Sequence, residues 1–288
     1  MASSHAFTRP PPHVANVLVS FPSRHVVLVT LNRPAQLNAI PITQHAPLDD
    51  LFRWYDAQPS LRCAVVTGAG RAFCAGADLK EWDGRTAANA ADPGAAEREA
   101  AERGLRFKAG GFGGLSNRAG KKPVVAAVNG LCLGGGMEMV VNCDLVVAAD
   151  EATFGLPEAK RGVVALGGAL PRIVRIFGRQ RAAEMAFTGR TFTAREMEAW
   201  GLVNKVVARA ELVPEALRLA EAVADSSPDA VIVSKEGLRL GWEGIGPELG
   251  TEILERGLYG RLDAGENMKE GLRSFVEKRK PVWKDSKL

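Results

Sequence analysis

Two glutamates, Glu138 and Glu158, are the side chains of this sequence whose positions best suit acid–base chemistry. Glu138 follows the glycine run at 134–136, and Glu158 follows Pro157. Two carboxylates beside one reacting atom can divide the acid and base roles when their surroundings separate their pKa values. Spacing alone leaves a second interpretation of Glu138 open, in which its charge stabilises the N-terminus of a helix.

Two glycine-rich turns accompany these glutamates. The first covers residues 70–80 and follows an apolar run that ends at Thr67, and the second covers residues 129–138 and follows a run that ends at Val128. Two adjacent turns of this kind can each direct a backbone N–H at one ligand oxygen, and a helix N-terminus adds partial positive charge. The pattern therefore predicts an oxyanion hole, which stabilises an acyl carbonyl as it becomes an enolate.

The glycine loops of nucleotide-binding proteins do not fit this sequence. Lys121 is followed by Lys122, where a P-loop needs Ser or Thr, and the spacing of the glycines before it is also wrong. Ser116 stands where a dinucleotide fingerprint beginning at Gly111 needs its third glycine. An oxidoreductase with a nucleotide cofactor is therefore not expected.

The elements that must position the turns alternate along the chain. Short β-rich runs at 14–20 and 26–31 predict a hairpin. Continuous apolar runs at 63–67, 124–128 and 144–149 predict buried strands, each followed by glycine and a helix start. Repetition of strand, turn and helix predicts an α/β fold with ββα units. Helices are predicted at 43–57, 193–200, 211–224, 228–240, 246–259 and 266–278.

This pattern divides the chain into three predicted parts. We predict a flexible N-terminal tail at 1–12, a catalytic core at 13–205 and a C-terminal helical region at 206–288. Residues 84–120 are predicted to be an insertion within the core, with an Ala/Glu/Arg-rich helix at about 94–108 and a cluster of glycines after it. Two interpretations of the insertion stay open, a mobile lid over a site and a solvated helix with a flexible loop.

Composition excludes several classes of protein. The 288 residues carry 37 Lys plus Arg and 33 Asp plus Glu, a formal net charge of +4, with 46% hydrophobic and 24% charged residues. These fractions are typical of a globular protein and exclude a disordered chain. No dense basic stripe indicates nucleic-acid binding, and no apolar run reaches the roughly 20 residues of a membrane span.

The four cysteines and the last three residues indicate the cellular compartment. The four cysteines form no C-x-x-C pair and have no histidine cluster beside them, which predicts buried free thiols in a reducing compartment and no metal site. Ser286-Lys287-Leu288 matches the peroxisomal address. We therefore expect a peroxisomal location, with the peroxisomal import receptor as a partner.

Taken together, these segments closely resemble the crotonase superfamily, which acts on acyl-coenzyme A (CoA) thioesters, and most resemble a peroxisomal enoyl-CoA hydratase. The resemblance covers nearly the whole chain. It implies a crotonase-like ββα spiral core, a C-terminal helical trimerisation region, and a homotrimer or a dimer of trimers. The motifs that carry it lie at 31–34, 37–39, 75–80, 134–138, 143–144, 154–158, 270–272 and 275–281.

The resemblance also implies roles for individual residues. The N–H groups of Ala77 and Gly135 would form the oxyanion hole, Glu138 would activate the water that attacks the β-carbon, and Glu158 would supply the α-proton. No separate cofactor is implied, because CoA is part of the substrate. Contacts with CoA are implied for Ala75, Asp78, Leu79, Lys80, Gly134, Pro157 and Lys278.

The expected activity is that of an enoyl-CoA hydratase, a lyase of fatty acid metabolism, and alternatives remain. One is a Δ3-Δ2-enoyl-CoA isomerase that relies on Glu158 alone. Another is a hydratase or dehydratase of a branched or hydroxylated acyl-CoA, because the segment 162–168 departs from the family's commoner form. Carnitinyl, methylglutaconyl and mevalonyl thioesters are not separated by these residues. A non-catalytic RNA-binding relative would need a basic patch, but the cations at 98–108 are interleaved with acids.

Overall fold

The structure, a computed structural model, describes residues 7, 9–78, 81, 94, 110–263 and 265–288. Leu79, Lys80, most of the predicted tail and the helix predicted at 94–108, apart from Gly94, lie outside the described residues.

A six-stranded sheet forms the larger layer of the core. Its first pair, β1 (Val17–Ser23) and β2 (Val26–Leu31), is the predicted hairpin, and the remaining neighbours are parallel. All residues of β3 (Cys63–Gly68) and β5 (Val124–Val128) are buried, which is why these strands are continuous apolar runs rather than alternating ones. In sheet order the strands are β1 (Val17–Ser23), β2 (Val26–Leu31), β3 (Cys63–Gly68), β5 (Val124–Val128), β7 (Leu145–Ala149) and β10 (Lys205–Val207).

A four-stranded sheet forms the second layer, and the chain alternates between the two. After each of β3, β5 and β7 in the larger sheet, the next strand enters the smaller sheet, and β6 (Leu131–Leu133) leads directly into a helix. This alternation is the predicted ββα repeat. In sheet order the strands are β4 (Ala72–Cys74), β6 (Leu131–Leu133), β8 (Thr153–Gly155) and β9 (Phe192–Thr193).

Helices cover the sheets and make up the C-terminal third. One predicted helix, 246–259, is interrupted, because Gly257 has non-helical backbone angles (φ −94°, ψ −109°) within a π-helical turn at Glu255–Tyr259. The helices are α1 (His45–Ala57), α2 (Gly135–Val141), α3 (Ala169–Phe177), α4 (Arg179–Thr188), α5 (Ala194–Ala199), α6 (Leu212–Ala224), α7 (Pro228–Trp242), α8 (Pro247–Leu254), α9 (Gly260–Asp263) and α10 (Glu266–Val276).

The described residues supply no element for a membrane span or a metal site. No helix among them has both the length and the apolar character needed to cross a bilayer. None of their His, Cys, Asp and Glu side chains form a group of three or more suited to a metal ion. The cysteines are free thiols, and burial raises the pKa of Cys74 to about 12, so this thiol is poorly suited to nucleophilic chemistry.

Candidate active site

The turn between β6 and α2 presents a backbone N–H at a helix start. Gly134 has φ +53° and ψ −124°, a conformation that glycine adopts readily, and its N–H donates to the carbonyl of Gly155 at 3.0 Å. Gly135 is the first residue of α2, so its N–H has no acceptor within the helix. The predicted second glycine turn is therefore present and ends in an N–H that can bind a ligand oxygen.

The turn after β4 presents a second N–H beside the first. Ala77 forms an isolated parallel bridge with Ile40, in which the Ile40 N–H donates to the Gly76 carbonyl (2.9 Å) and the Asp78 N–H donates to the Ile40 carbonyl (3.4 Å). These bonds flank Ala77, so its own N–H points away from Ile40. A Cβ atom on Gly76 would lie 3.1 Å from the nitrogen of Gly135, which shows how closely the two turns approach.

A cavity of about 260 Å³ lies against both turns. Ala77 and Gly135, the predicted oxyanion-hole residues, both line it, and so do Glu138 and Glu158. The structure therefore brings the four predicted catalytic residues to one cavity. Most of the remaining wall is apolar, with Ile40, Ile42, Phe112, Leu133, Val163, Val164, Ala165 and Leu166.

Glu138 lies in the first turn of α2 and is only 5% exposed. Its Oε1 accepts a hydrogen bond from the N–H of Ala169 at 3.4 Å, at the start of α3. Burial, above all, raises the pKa of Glu138 to about 7; the Ala169 N–H opposes this shift and the charge of Glu158 adds to it. A carboxyl with a pKa of about 7 is suited to proton exchange near neutral pH.

Glu158 lies in the 3₁₀ turn Pro157–Arg161 that follows β8, where Pro157 occupies the first position. Its Oε2 is buried and has no hydrogen-bond partner among the residues that the structure describes. Burial raises the pKa of this carboxyl as well. A Cβ atom on Gly134 would lie 2.9 Å from Glu158 Oε1, so the glycine turn and the second carboxylate are in contact.

Two residues that sequence reasoning missed hold the peptide beside Glu138 in place. The Ser116 hydroxyl donates to the carbonyl of Gly167 (2.6 Å) and accepts from the N–H of Phe112 (2.7 Å). Arg172 Nη1 donates to the carbonyls of Ser116 (2.9 Å) and Gly168 (3.0 Å) and to Asn117 Oδ1 (2.7 Å). These bonds fix the segment 167–169, whose Ala169 N–H binds Glu138.

The glycine cluster at 110–114 belongs to this same support. One of the two open interpretations makes this cluster a flexible loop, but Phe112, Gly113 and Gly114 are buried in a 3₁₀ turn between α1 and α2. A Cβ atom on Gly114 would lie 2.6 Å from the backbone nitrogen of Asp49 in α1. The glycines are therefore required by close packing of backbone against α1, and that interpretation is wrong for these residues.

The cavity also contains polar side chains that sequence reasoning did not select: His45, Glu81 and Arg161. His45 is the first residue of α1 and is 6% exposed. It lies three residues before Leu48, on the helix face that the apolar spacing predicts to be buried. A polar residue on a buried face is the feature of the sequence that could have identified His45.

Only some of the residues predicted to contact CoA line the cavity. Ala75, Asp78, Gly134 and Pro157 line the cavity, and Asp78 also forms an ion pair with Arg33 at 3.2 Å. Leu79 and Lys80 lie outside the described residues. Lys278 is exposed after α10, with φ +52°, and is not among the residues that line this cavity.

The fold and this pair of carboxylates define an enzyme class, and comparison with known proteins agrees. The family model for enoyl-CoA hydratase/isomerase matches residues 22–286. The chain therefore belongs to the enoyl-CoA hydratase/isomerase family, which confirms the predicted crotonase membership and fold. It is a hydratase-type enzyme whose substrate is an acyl-CoA thioester.

Three known proteins show how far the similarity extends. The chain is 59% identical over 283 residues to mevalonyl-coenzyme A hydratase SIDH of Beauveria bassiana, covering 98% of this chain and 99% of that protein. It is 38% identical over 264 residues to carnitinyl-CoA dehydratase of Proteus mirabilis, covering 90% and 95%. Its structure is similar to that of an enoyl-CoA hydratase from Geobacillus kaustophilus, with a TM-score of 0.82, 34% identity, and coverage of 95% and 99%.

Proposed function

We propose that this enzyme adds water reversibly to the 2,3 double bond of a methyl-branched, hydroxylated enoyl-CoA, with a mevalonyl-type thioester as the hydrated form. The substrate class is supported by the relative named for mevalonyl-CoA, which matches almost the entire chain. One observation carries the reaction type: the buried Glu138 and the half-buried Glu158, whose pKa values are both raised, line the same cavity as the two N–H groups.

The proposed chemistry uses each of these groups once. The N–H groups of Ala77 and Gly135 bind the thioester oxygen and stabilise its charge as the enolate forms. Ionised Glu138 accepts a proton from water while the water oxygen attacks the β-carbon, and neutral Glu158 gives its proton to the α-carbon. Burial raises the pKa of both carboxyls, and the protonated state of Glu158 in this step is part of the proposal. The reverse sequence removes water.

The test compares amide replacements of the two carboxylates. Glu138→Gln and Glu158→Gln should each lower kcat for hydration of the enoyl-CoA by at least about 10²-fold, the low end for acid–base groups. Glu211→Gln, at an exposed position just before α6, is the matched control. Loss of the enoyl absorbance in the ultraviolet measures the rate. Near-normal turnover by either cavity variant would overturn the paired mechanism.

A Δ3-Δ2-enoyl-CoA isomerase is the second candidate, and one observation favours it. Glu158 has a buried oxygen without a described partner, whereas Glu138 is bound to the Ala169 N–H, so Glu158 is the more available proton carrier. With a 3-enoyl-CoA as substrate, an isomerase would tolerate Glu138→Gln and lose activity in Glu158→Gln. A hydratase would lose its activity in both variants.

Binding of CoA, self-association and location are further proposals. We assign contacts with CoA to the two glycine turns and to Lys278 on the resemblance alone. Exposed apolar side chains on the C-terminal helices support assembly into a trimer or a dimer of trimers, which sedimentation would measure; they include Leu249, Leu272, Phe275 and Val276. Peroxisomal location rests on the tripeptide 286–288, and a fluorescent fusion that masks it should remain outside peroxisomes.

A further inference from the structure

The two N–H groups at Ala77 and Gly135 lie just beyond the ends of two neighbouring strands. The strand β4 leads into the first glycine turn and β6 leads into the second, and the two strands are parallel. A shift of β4 along β6 therefore changes the distance between the two N–H groups. The strand pairing alone fixes this offset poorly, because each strand has 3 residues and the register is irregular between Ala72 and Cys74.

Asn129, which follows β5 and begins the second glycine turn, connects the starts of both strands. Its side chain is buried and binds the segment between β3 and β4. The Oδ1 atom accepts from the N–H of Gly68 at 3.1 Å, and Nδ2 donates to the carbonyls of Gly70 (2.9 Å) and Ala72 (3.1 Å). A side-chain amide has two N–H donors and one acceptor oxygen, so all of its polar groups are used here. The first residue of β4 is thereby tied to the segment that leads into β6.

Arg209 makes a second connection between the same two segments. Its Nη1 donates to the carbonyl of Asn129 at 3.0 Å, and its Nη2 donates to the carbonyl of Gly70 at 2.6 Å. Glu151 forms an ion pair with the same guanidinium. Because a guanidinium is planar and holds its N–H groups in fixed directions, the two carbonyls that it binds keep a fixed separation.

The position of β4 at its start determines its position at its end, because backbone packs against backbone at both ends of the strand pair. Before the strands, a Cβ atom on Gly130 would lie 2.2 Å from the carbonyl oxygen of Arg71. Beyond them, a Cβ atom on Gly136 would lie 2.3 Å from the carbonyl oxygen of Cys74. A displacement at the start of β4 is therefore carried to the Ala77 N–H beyond its end.

We infer that Asn129, together with Arg209, is a positioning residue that sets the separation of the Ala77 and Gly135 N–H groups. Asn129 is not among the residues that line the cavity, so it acts through the two strands rather than on the substrate. The separation matters because N–H···O bonds form only over about 2.7–3.2 Å, and loss of one oxyanion-hole donor lowers kcat by about 10²–10³-fold. This inference rests on the proposed function, in which both N–H groups bind the thioester oxygen.

The test measures how strongly the enzyme polarises the carbonyl of a bound ligand that cannot be hydrated. The probe is 5-hydroxy-3-methylpentanoyl-CoA, which has no double bond, with ¹³C at the thioester carbonyl. Hydrogen bonds to the oxygen weaken the C=O bond, so the infrared band of the wild-type complex should lie at lower wavenumber than that of the free probe. Asn129→Ala should lose at least about half of this lowering, because one donor leaves hydrogen-bond range. Its kcat for hydration should fall at least about tenfold.

Matched controls separate positioning from a general loss of stability. Asn267→Ala removes another buried amide that donates two hydrogen bonds and accepts one, in the C-terminal region, and should keep the wild-type band. Arg209→Met should lose a smaller part of the lowering than Asn129→Ala. Arg218→Met, at an exposed arginine paired with Glu215, should lose none. The band comes only from folded enzyme with bound probe, so a lower folded fraction does not move it.

The outcomes distinguish failure of the inference from failure of the proposed function. A wild-type band at the wavenumber of the free probe would overturn the oxyanion hole and the inference with it. If the wild-type band is lowered and Asn129→Ala keeps that band, or Asn267→Ala loses as much of the lowering, the inference is overturned while the proposed function stands. If Asn129→Ala does not fold, Arg209→Met decides: a partly reversed band supports the inference, and the wild-type band overturns it.

Discussion

Replacement of Gly167 by alanine should disable the enzyme by displacing one carboxylate. Gly167 lies in the loop before α3, where Ser116 binds its carbonyl. A Cβ atom at this position would lie 2.5 Å from Oε2, 2.9 Å from Cδ and 3.1 Å from Oε1 of Glu138. All three distances are shorter than an ordinary van der Waals contact, so the carboxylate or the loop must shift.

The geometry sets the size of the effect. An ordinary van der Waals contact begins at 3.4 Å, so the distance between the added Cβ and Glu138 Oε2 is too short by about 0.9 Å. The loop is held by Ser116 and Arg172, so the carboxylate is the part that gives way. A displacement of about 1 Å at a reacting group can lower a rate by about 10²-fold. We expect Gly167→Ala to lower kcat by about that factor and to change KM little, because the residue lies beside Glu138, the carboxylate proposed to activate water.

A double-mutant cycle checks that the effect acts through Glu138. Gly167→Ala in the Glu138→Gln background should be little slower than Glu138→Gln alone, since the group that it displaces no longer acts. Gly241→Ala is the control, because this helical glycine in α7 has no described atom within 4 Å of the added Cβ. Thermal unfolding followed by circular dichroism reports the folded fraction. A folded Gly167→Ala variant with kcat within about threefold of the wild type would refute the reasoning.

Two further predictions concern the charges around Glu138. The folded-state pKa of Glu138, about 7, lies above its ordinary value of 4.5, so ionising it disfavours the folded state and stability is lost as pH rises from about 4.5 to 7. Glu138→Gln removes this loss. The free energy of unfolding of the variant minus that of the wild type, measured by urea titration, should therefore increase by up to about 3 kcal/mol from pH ~5 to pH ~8. A difference that stays constant with pH would contradict a buried charge at Glu138. Arg172 lowers the pKa of Glu138, so Arg172→Met should move the acid limb of the kcat/KM profile to higher pH, whereas Arg175→Met, exposed on the same helix, should not.

Elements that depend on local pattern could be predicted from the sequence. The apolar runs of β3, β5 and β7 indicated buried parallel strands, and the structure buries nearly all of their residues. The glycine turns and both glutamates could also be located, because glycine conformation and carboxylate chemistry are local properties. Their convergence on one cavity followed from the resemblance rather than from the spacing, since spacing left Glu138 open to a different interpretation.

Residues whose roles depend on distant partners could not be found in this way. Ser116 acts through Gly167, 51 residues away, and Arg172 acts through Ser116, 56 residues away. The glycines at 110–114 could not be assigned to a flexible loop or to close packing for a related reason. Glycine is common both in loops and where two backbones are in contact. Periodicity placed the apolar neighbours of His45 on a buried helix face, but it could not show that the end of this face opens into a cavity.

The two N–H groups at Ala77 and Gly135 have a consequence for how this enzyme can diverge. A peptide N–H is present with every residue type except proline, so codon changes at these positions seldom delete it. The cavity wall, by contrast, consists of side chains such as His45, Val163 and Leu166, each of which a single substitution alters. Substitutions in the wall can therefore change which acyl group fits the cavity while both N–H groups stay in place.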